Sequence, residues 1–271
     1  MLQINNILTT VTDRCIGYFF SADIRLSELN TKTTVSSDRN KITPVALGEI
    51  MPVSATQFEE RTQDSSELLD GIMPSAITFA MMLRHKNMSA WLRTEFDGYE
   101  NADAAPPYRR GLPGHIVANS PQYGWIPAPV NPQQTTDFGR LDLIEGVKDL
   151  EKFCLTSKKG NGKRIQLSKE ITAVLQKQIN LSAELAINVS REEYSKILKI
   201  VRGTLYLWAK ALVAQGLTGE HNHYTAEQRA LVAELDDPQK FWREATAEVD
   251  SLPMPEIKTA GFLDRMFGRA S

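Results

Sequence analysis

The chain has 271 residues, 42% hydrophobic and 24% charged, which suits one large globular domain or one domain with extensions. Its formal net charge is -2 and its pI about 6.1, so no global basic excess makes nucleic acid an obligatory ligand. Two cysteines, Cys15 and Cys154, exclude a four-cysteine zinc site within one chain and argue against a disulfide framework.

Two thiols in a chain of this length suit a reducing cytoplasm. The opening "MLQINNILTTVTDRCIGYFF" is polar throughout and has no basic start, unlike a secretory leader. Apolar runs fall well short of the ~20 residues that span a bilayer. The expectation is a cytoplasmic protein without a membrane span.

Residues 1–64 differ in texture from the rest. The apolar "IGYFF" is followed by a Ser- and Thr-rich stretch interrupted by Pro44 and Pro52, with sparse apolar positions. This reads as an N-terminal arm or small docking element, or as a subdomain whose pattern is not visible. From Ser66, Leu69, Ile72, Met73, Ala76, Ile77, Ala80 and Leu83 recur at helical spacing, with Pro74 expected to kink or split the helix. Met88, Trp91, Leu92, Phe96 and Tyr99 mark a second helix that Gly98 would cap.

Residues 100–135 are punctuated by proline and glycine. Within them "HIVANS" and "YGWIPAPV" read as short strands. "RLDLIEGVKDLEKFC" reads as a helix, "KKGNGKRIQLS" as a turn into a strand, and "SKEITAVLQKQINL" as a short helix or a loop and strand. The clearest element begins at Ser190, where Glu193 completes a capping box. Tyr194, Ile197, Leu198, Val201, Leu205, Trp208 and Leu212 follow at steps of three and four, giving a core helix of roughly 39 Å. Gly203 inside it costs about 1 kcal/mol relative to alanine, which suits a place of close packing. Two more helices follow, split at Asp237-Pro238, then a linker and the amphipathic tail "GFLDRMFGRAS".

Two blocks resemble a known family. "LLDGIMPSAITFAMMLRHKNMSAWLRTEFDGY", followed by the turn Pro107, Tyr108 and Arg109, is similar to the opening of the AbiTii domain. "VRGTLYLWAKALVAQGLTGE", with Arg202, Trp208, Gly216, Gly219 and Glu220, resembles its second signature. The resemblance covers about 66 to 220 and implies a role in bacterial abortive infection and phage defence. It carries over no reaction and no catalytic residue. The organisation expected is an arm over 1–64, an AbiTii-like domain over 65–220, helices over 221–252, and a linker and tail over 253–271. The fold class expected is mainly α with a minor β part, a helical core with short strands in its middle segment.

The candidate chemistry is thin. Glu95 and Asp97 point in different directions on a helix. Pairing of Glu95 with Arg109 or Arg110, with Tyr99 and Tyr108 packing loop against helix end, is the structural reading. The catalytic alternative is an effector acting on RNA or nucleotides through Glu95, Arg109, Arg110 and His115. Lys158, Lys159, Lys163 and Arg164 surround two glycines, a candidate phosphate or nucleic-acid contact without P-loop spacing. His221 and His223, even with Glu220, read as a polar surface turn rather than a zinc site. No cofactor or metal is expected, and no serine-hydrolase, zincin or dinucleotide motif is visible. Phe262, Leu263, Met266 and Phe267 in the tail either dock on a partner or a second copy, or fold back on the core. The leading functional expectation is a non-enzymatic defence component. It would assemble as scaffold, sensor or regulator with itself or with a protein encoded in the same locus.

Overall fold

The computed structural model describes residues 54–158, 160–218 and 224–257, all within one unit that spans residues 50–271. Lys159, the histidines of "HNHY" and the tail anchors Phe262, Leu263, Met266 and Phe267 lie outside the described residues. So do Cys15, Gly219 and Glu220.

In chain order the elements are α1 (Ala55–Gln63), α2 (Leu69–Leu83), α3 (Lys86–Asp97), a 3-10 turn (Pro107–Arg109), β1 (Leu112–Pro113), β2 (His115–Ser120) and β3 (Gly124–Pro127). There follow α4 (Pro132–Phe138), β4 (Arg140–Leu141), α5 (Val147–Thr156), β5 (Gly162–Gln166), α6 (Lys169–Ile179) and β6 (Leu185–Ser190). The last are α7 (Arg191–Ala214), α8 (Ala226–Leu231), a second 3-10 turn (Ala233–Leu235) and α9 (Pro238–Ala247). The fold is mainly α with a minor antiparallel β part, as the sequence implied.

Helix α7 is the centre. Ser190 accepts the Glu193 amide at its start, and Tyr194, Ile197, Leu198, Val201, Leu205, Trp208 and Leu212 are all buried. Helices α1, α5 and α9 pack against it. Gly203 lies where a Cβ would sit 2.8 Å from Leu252 and 3.4 Å from Ala245, so its missing side chain lets α9 and the segment after it close on α7. Phe58 of α1 and Phe79 of α2 meet Trp208 at 6.1 and 5.5 Å between ring centroids.

The four-stranded sheet has the order β3-β2-β6-β5, every pair antiparallel. Alternation puts Ile116, Ala118, Leu185, Ile187 and Val189 on its buried face. Leu175 of α6 belongs to the cluster under Ile116, Ala118 and Leu185, while Ile187 and Val189 join the main core. The two-residue strands β1 and β4 pair beside it.

Three elements differ from the sequence expectation. Residues 55–63 are helix rather than arm: Ser54 and Gln57 form a capping box, and Phe58 is fully buried. Helix α2 runs through Pro74 as one element, so of the two outcomes expected there the split does not occur. Of the segment expected to be one helix from Arg140, only Val147–Thr156 is helical, because the carbonyls of Leu143 and Glu145 turn toward Arg109.

Candidate functional site

The charged centre is built where α3 ends. Glu95 sits in its last turn, and Gly98 caps the helix at φ 104° and ψ 170°, a region only glycine enters freely. That conformation carries Tyr99 across to the loop before α5, where its amide donates to Ile144 at 2.8 Å. A Cβ at Gly98 would lie 2.9 Å from the Ile144 carbonyl oxygen. Gly98→Ala is therefore expected to cost about 1–3 kcal/mol from the backbone alone, plus the clash, read as a lowered urea midpoint.

The 3-10 turn brings Tyr108 and Arg109 under the same helix end. Arg109 and Glu95 are both fully buried, with Nη2 2.5 Å from Oε2 and Nε 3.0 Å from Oε2. Nη1 donates to the carbonyls of Leu143 at 3.2 Å and Glu145 at 2.8 Å. The Tyr108 hydroxyl donates to Glu95 Oε1 at 2.5 Å, and the Tyr99 hydroxyl donates to the same oxygen. The Arg109 guanidinium also lies over the Tyr99 ring, 5.2 Å from its centroid. Burial, then the Glu95 charge, pushes both phenols well above their ordinary range, so they remain donors. Burial alone would favour neutral arginine; Glu95 and then the phenols outweigh it and raise the Arg109 pKa.

One residue thus ties the end of α3, the 3-10 turn and the lead-in to α5. Of the two arginines offered by the sequence, Arg109 takes Glu95. Arg110 is exposed, and His115 stands exposed on β2 opposite Asn188. The four residues of the catalytic alternative are not gathered into one open site.

The Lys158–Arg164 group is also divided. Lys163 and Arg164 are successive strand residues and point to opposite faces. Lys163 pairs with Glu145 at 3.0 Å, while Arg164 stacks near the Trp125 ring, 5.5 Å from its centroid. The Gly160 amide donates to Glu192 at 3.1 Å, and Lys158 is exposed.

Two carboxylates, Glu151 buried and Asp236 half-buried, escaped sequence reasoning. Glu151 of α5 accepts the Leu69 and Asp70 amides at 2.9 and 3.0 Å, and Asp236 accepts those of Asn87 and Met88 at 3.1 and 2.8 Å. Each caps the N-terminus of a helix whose own N-cap residue, Leu68 or His85, makes no side-chain cap. Arg202 does the converse, donating to the carbonyl of Thr62 in the last turn of α1 and to those of Asp64 and Glu67 after it. Burial raises the pKa of Glu151, against the two amides and the Arg202 charge. Burial pushes the Cys154 thiol up to about 12, the opposite of an activated nucleophile.

His85 accepts the Trp208 indole N–H on Nδ1 at 3.3 Å. Burial lowers its pKa below the ordinary 6.5, against the Asp236 charge and the Val232 carbonyl. The folded state then binds fewer protons than the unfolded one. This contribution is complete above pH 6.5 and is lost as pH falls from there through the folded value. Glu151 works the other way: its contribution is complete below 4.5 and lost as pH rises through its folded value. Wild-type stability should therefore fall more steeply from pH 7 to 5 than that of His85→Gln; parallel curves would remove His85 as the cause.

A cleft of about 210 Å³ lies between α7 and residues 249–257, lined among others by Arg191, Lys196, Lys199, Asp250 and Glu256. It falls below the roughly 300 Å³ at which ligand pockets begin. Among the described residues, no helix is long and apolar enough to cross a membrane.

A helical domain closed by a small antiparallel sheet, with Glu95, Arg109, Glu151 and Arg202 turned inward as ties between elements, is the class these features define. The AbiTii family model matches residues 55–235, and the chain belongs to that family. The match takes in α1 and α8 as well as the two blocks legible in the sequence. Membership associates the chain with abortive-infection phage defence. No curated protein and no solved structure matches the chain significantly.

Proposed function

We propose that the chain serves abortive-infection defence as a non-enzymatic component that works by assembly, with itself or with a protein encoded in the same locus. One observation carries this reading. Glu95 and Arg109, the one ion pair among the described residues with both side chains fully buried, make their hydrogen bonds to this protein's own groups. A substrate would have to displace ties that hold three segments together. The surface supplies contact area instead: α6 presents Ile171 and Val174 to solvent three residues apart, and Leu231 of α8 is 52% exposed.

Mass photometry of the full chain, alone and after co-expression with its genomic neighbours, tests this. A discrete species above the 30.3 kDa monomer is expected in one of the two samples. Removal of residues 258–271 should dissolve it while circular dichroism stays unchanged if the tail makes the contact, and removal of residues 1–53 should do so if the N-terminal segment does. A monomer in every sample would contradict the reading.

A further inference from the structure

The sheet has a second face that the core does not use. Across three strands it places His115, Asn188 and Arg164 in one row and Val117, Ala186 and Gln166 in the next. Asn119 follows, opposite Trp125 and beside Glu184. His115, Arg164 and Gln166 are exposed, while Val117, Asn119, Trp125 and Asn188 are half-buried.

The arrangement is more specific than a solvated sheet. Trp125 lies on β3 and Arg164 on β5, the two outer strands, three strand spacings of about 4.8 Å apart. They nevertheless meet at 5.5 Å. Both side chains must therefore lie along the face, over the small Ala186, which is only 1% exposed although it points to this side. A half-buried indole and an exposed guanidinium thus lie together on this face. At the end of the β2–β3 hairpin, Tyr123 is a second aromatic, 76% exposed. Glu184 sits two rows from Arg164, where the amides of Asn119 and Gln166 hold it. The Arg164 end also has Lys158 exposed in the segment before β5, and His115 shares its row.

We propose that this face binds single-stranded nucleic acid. Bases stack on Trp125 and Tyr123, the side-chain amide of Asn188 meets base edges, and Arg164 with Lys158 takes the phosphates. Flat aromatic groups beside cations on an open sheet suit unpaired bases, whereas a duplex hides the base faces this surface would need. The proposal goes beyond the assembly reading and does not depend on it.

Fluorescence polarisation of the full chain with a labelled mixed-sequence 20-nucleotide RNA, the matching single-stranded DNA and the annealed duplex tests it. Binding to one or both single strands is expected, weakening with salt. The RNA and DNA arms decide which sugar the face accepts. Trp125→Ala and Arg164→Ala should each weaken binding about tenfold, and Trp125→Phe should restore most of the loss. Lys163→Ala, on the opposite face, should bind as the wild type does. No binding to either strand at about 100 µM protein would overturn the proposal. So would equal affinity for the duplex, or sensitivity to Lys163→Ala without sensitivity to Trp125→Ala.

Discussion

Arg109→Met should lower stability by about 3–5 kcal/mol, the loss expected when a buried ion pair keeps one charge and loses the other. Methionine fills most of the arginine volume, so the effect is electrostatic rather than a cavity. Glu95 would keep its two tyrosine donors but lose Nε and Nη2, and the carbonyls of Leu143 and Glu145 would lose Nη1. The lead-in to α5 would then be free of the 3-10 turn at those two points. Urea unfolding followed by far-ultraviolet dichroism reads the effect, with a fall in Tm on the order of 10 °C beside it. Neutralising both partners, Glu95→Gln with Arg109→Gln, should cost much less than the two single changes summed, because neither leaves a lone buried charge. A single variant within about 1 kcal/mol of wild type would contradict the geometry.

Trp208→Ala should be as costly, about 3–5 kcal/mol, through a cavity at the centre of the molecule. The indole is fully buried among Phe58, Phe79 and His85, so three helices, α1, α2 and α7, share one packing site with the start of α3. Its removal also leaves His85 Nδ1 without its donor. Trp208→Phe separates the two effects: it keeps most of the apolar volume and loses the hydrogen bond, for a smaller cost of roughly 1–3 kcal/mol. The same urea titration checks both, and an alanine variant less than about 1 kcal/mol below wild type would mean that the core is not organised around this side chain.

What the sequence discloses follows from how local each determinant is. Helix α7 is legible because its Ser190 cap and its apolar steps of three and four are all within one segment. The Gly98-Tyr99 end of α3 and the Pro107–Arg109 turn are legible together, and they narrow Glu95 to two arginines. Helix α1 is hidden because Phe58 is the one large side chain it buries. The stretch before α5 has helical residues but is held extended by Arg109, 34 and 36 positions away from its acceptors. The Glu151 and Asp236 caps lie 82 and 148 positions from the amides they serve, though Leu68 and His85 at the N-caps are a usable warning that a distant acceptor exists. Arg164 and Trp125 meet only because β3 and β5 flank the same two strands, and no local pattern encodes that order.

The opposite reading of the charged centre, as catalytic, makes a distinct prediction. Cells carrying the locus with the doubly neutralised Glu95→Gln, Arg109→Gln chain should be challenged with phage at a temperature where near-ultraviolet dichroism shows the purified variant folded. Protection equal to wild type, by efficiency of plating, is the result expected if these charges only hold the fold. Lost protection in a chain that is folded and assembles normally would show that their chemistry is needed, and would contradict the account.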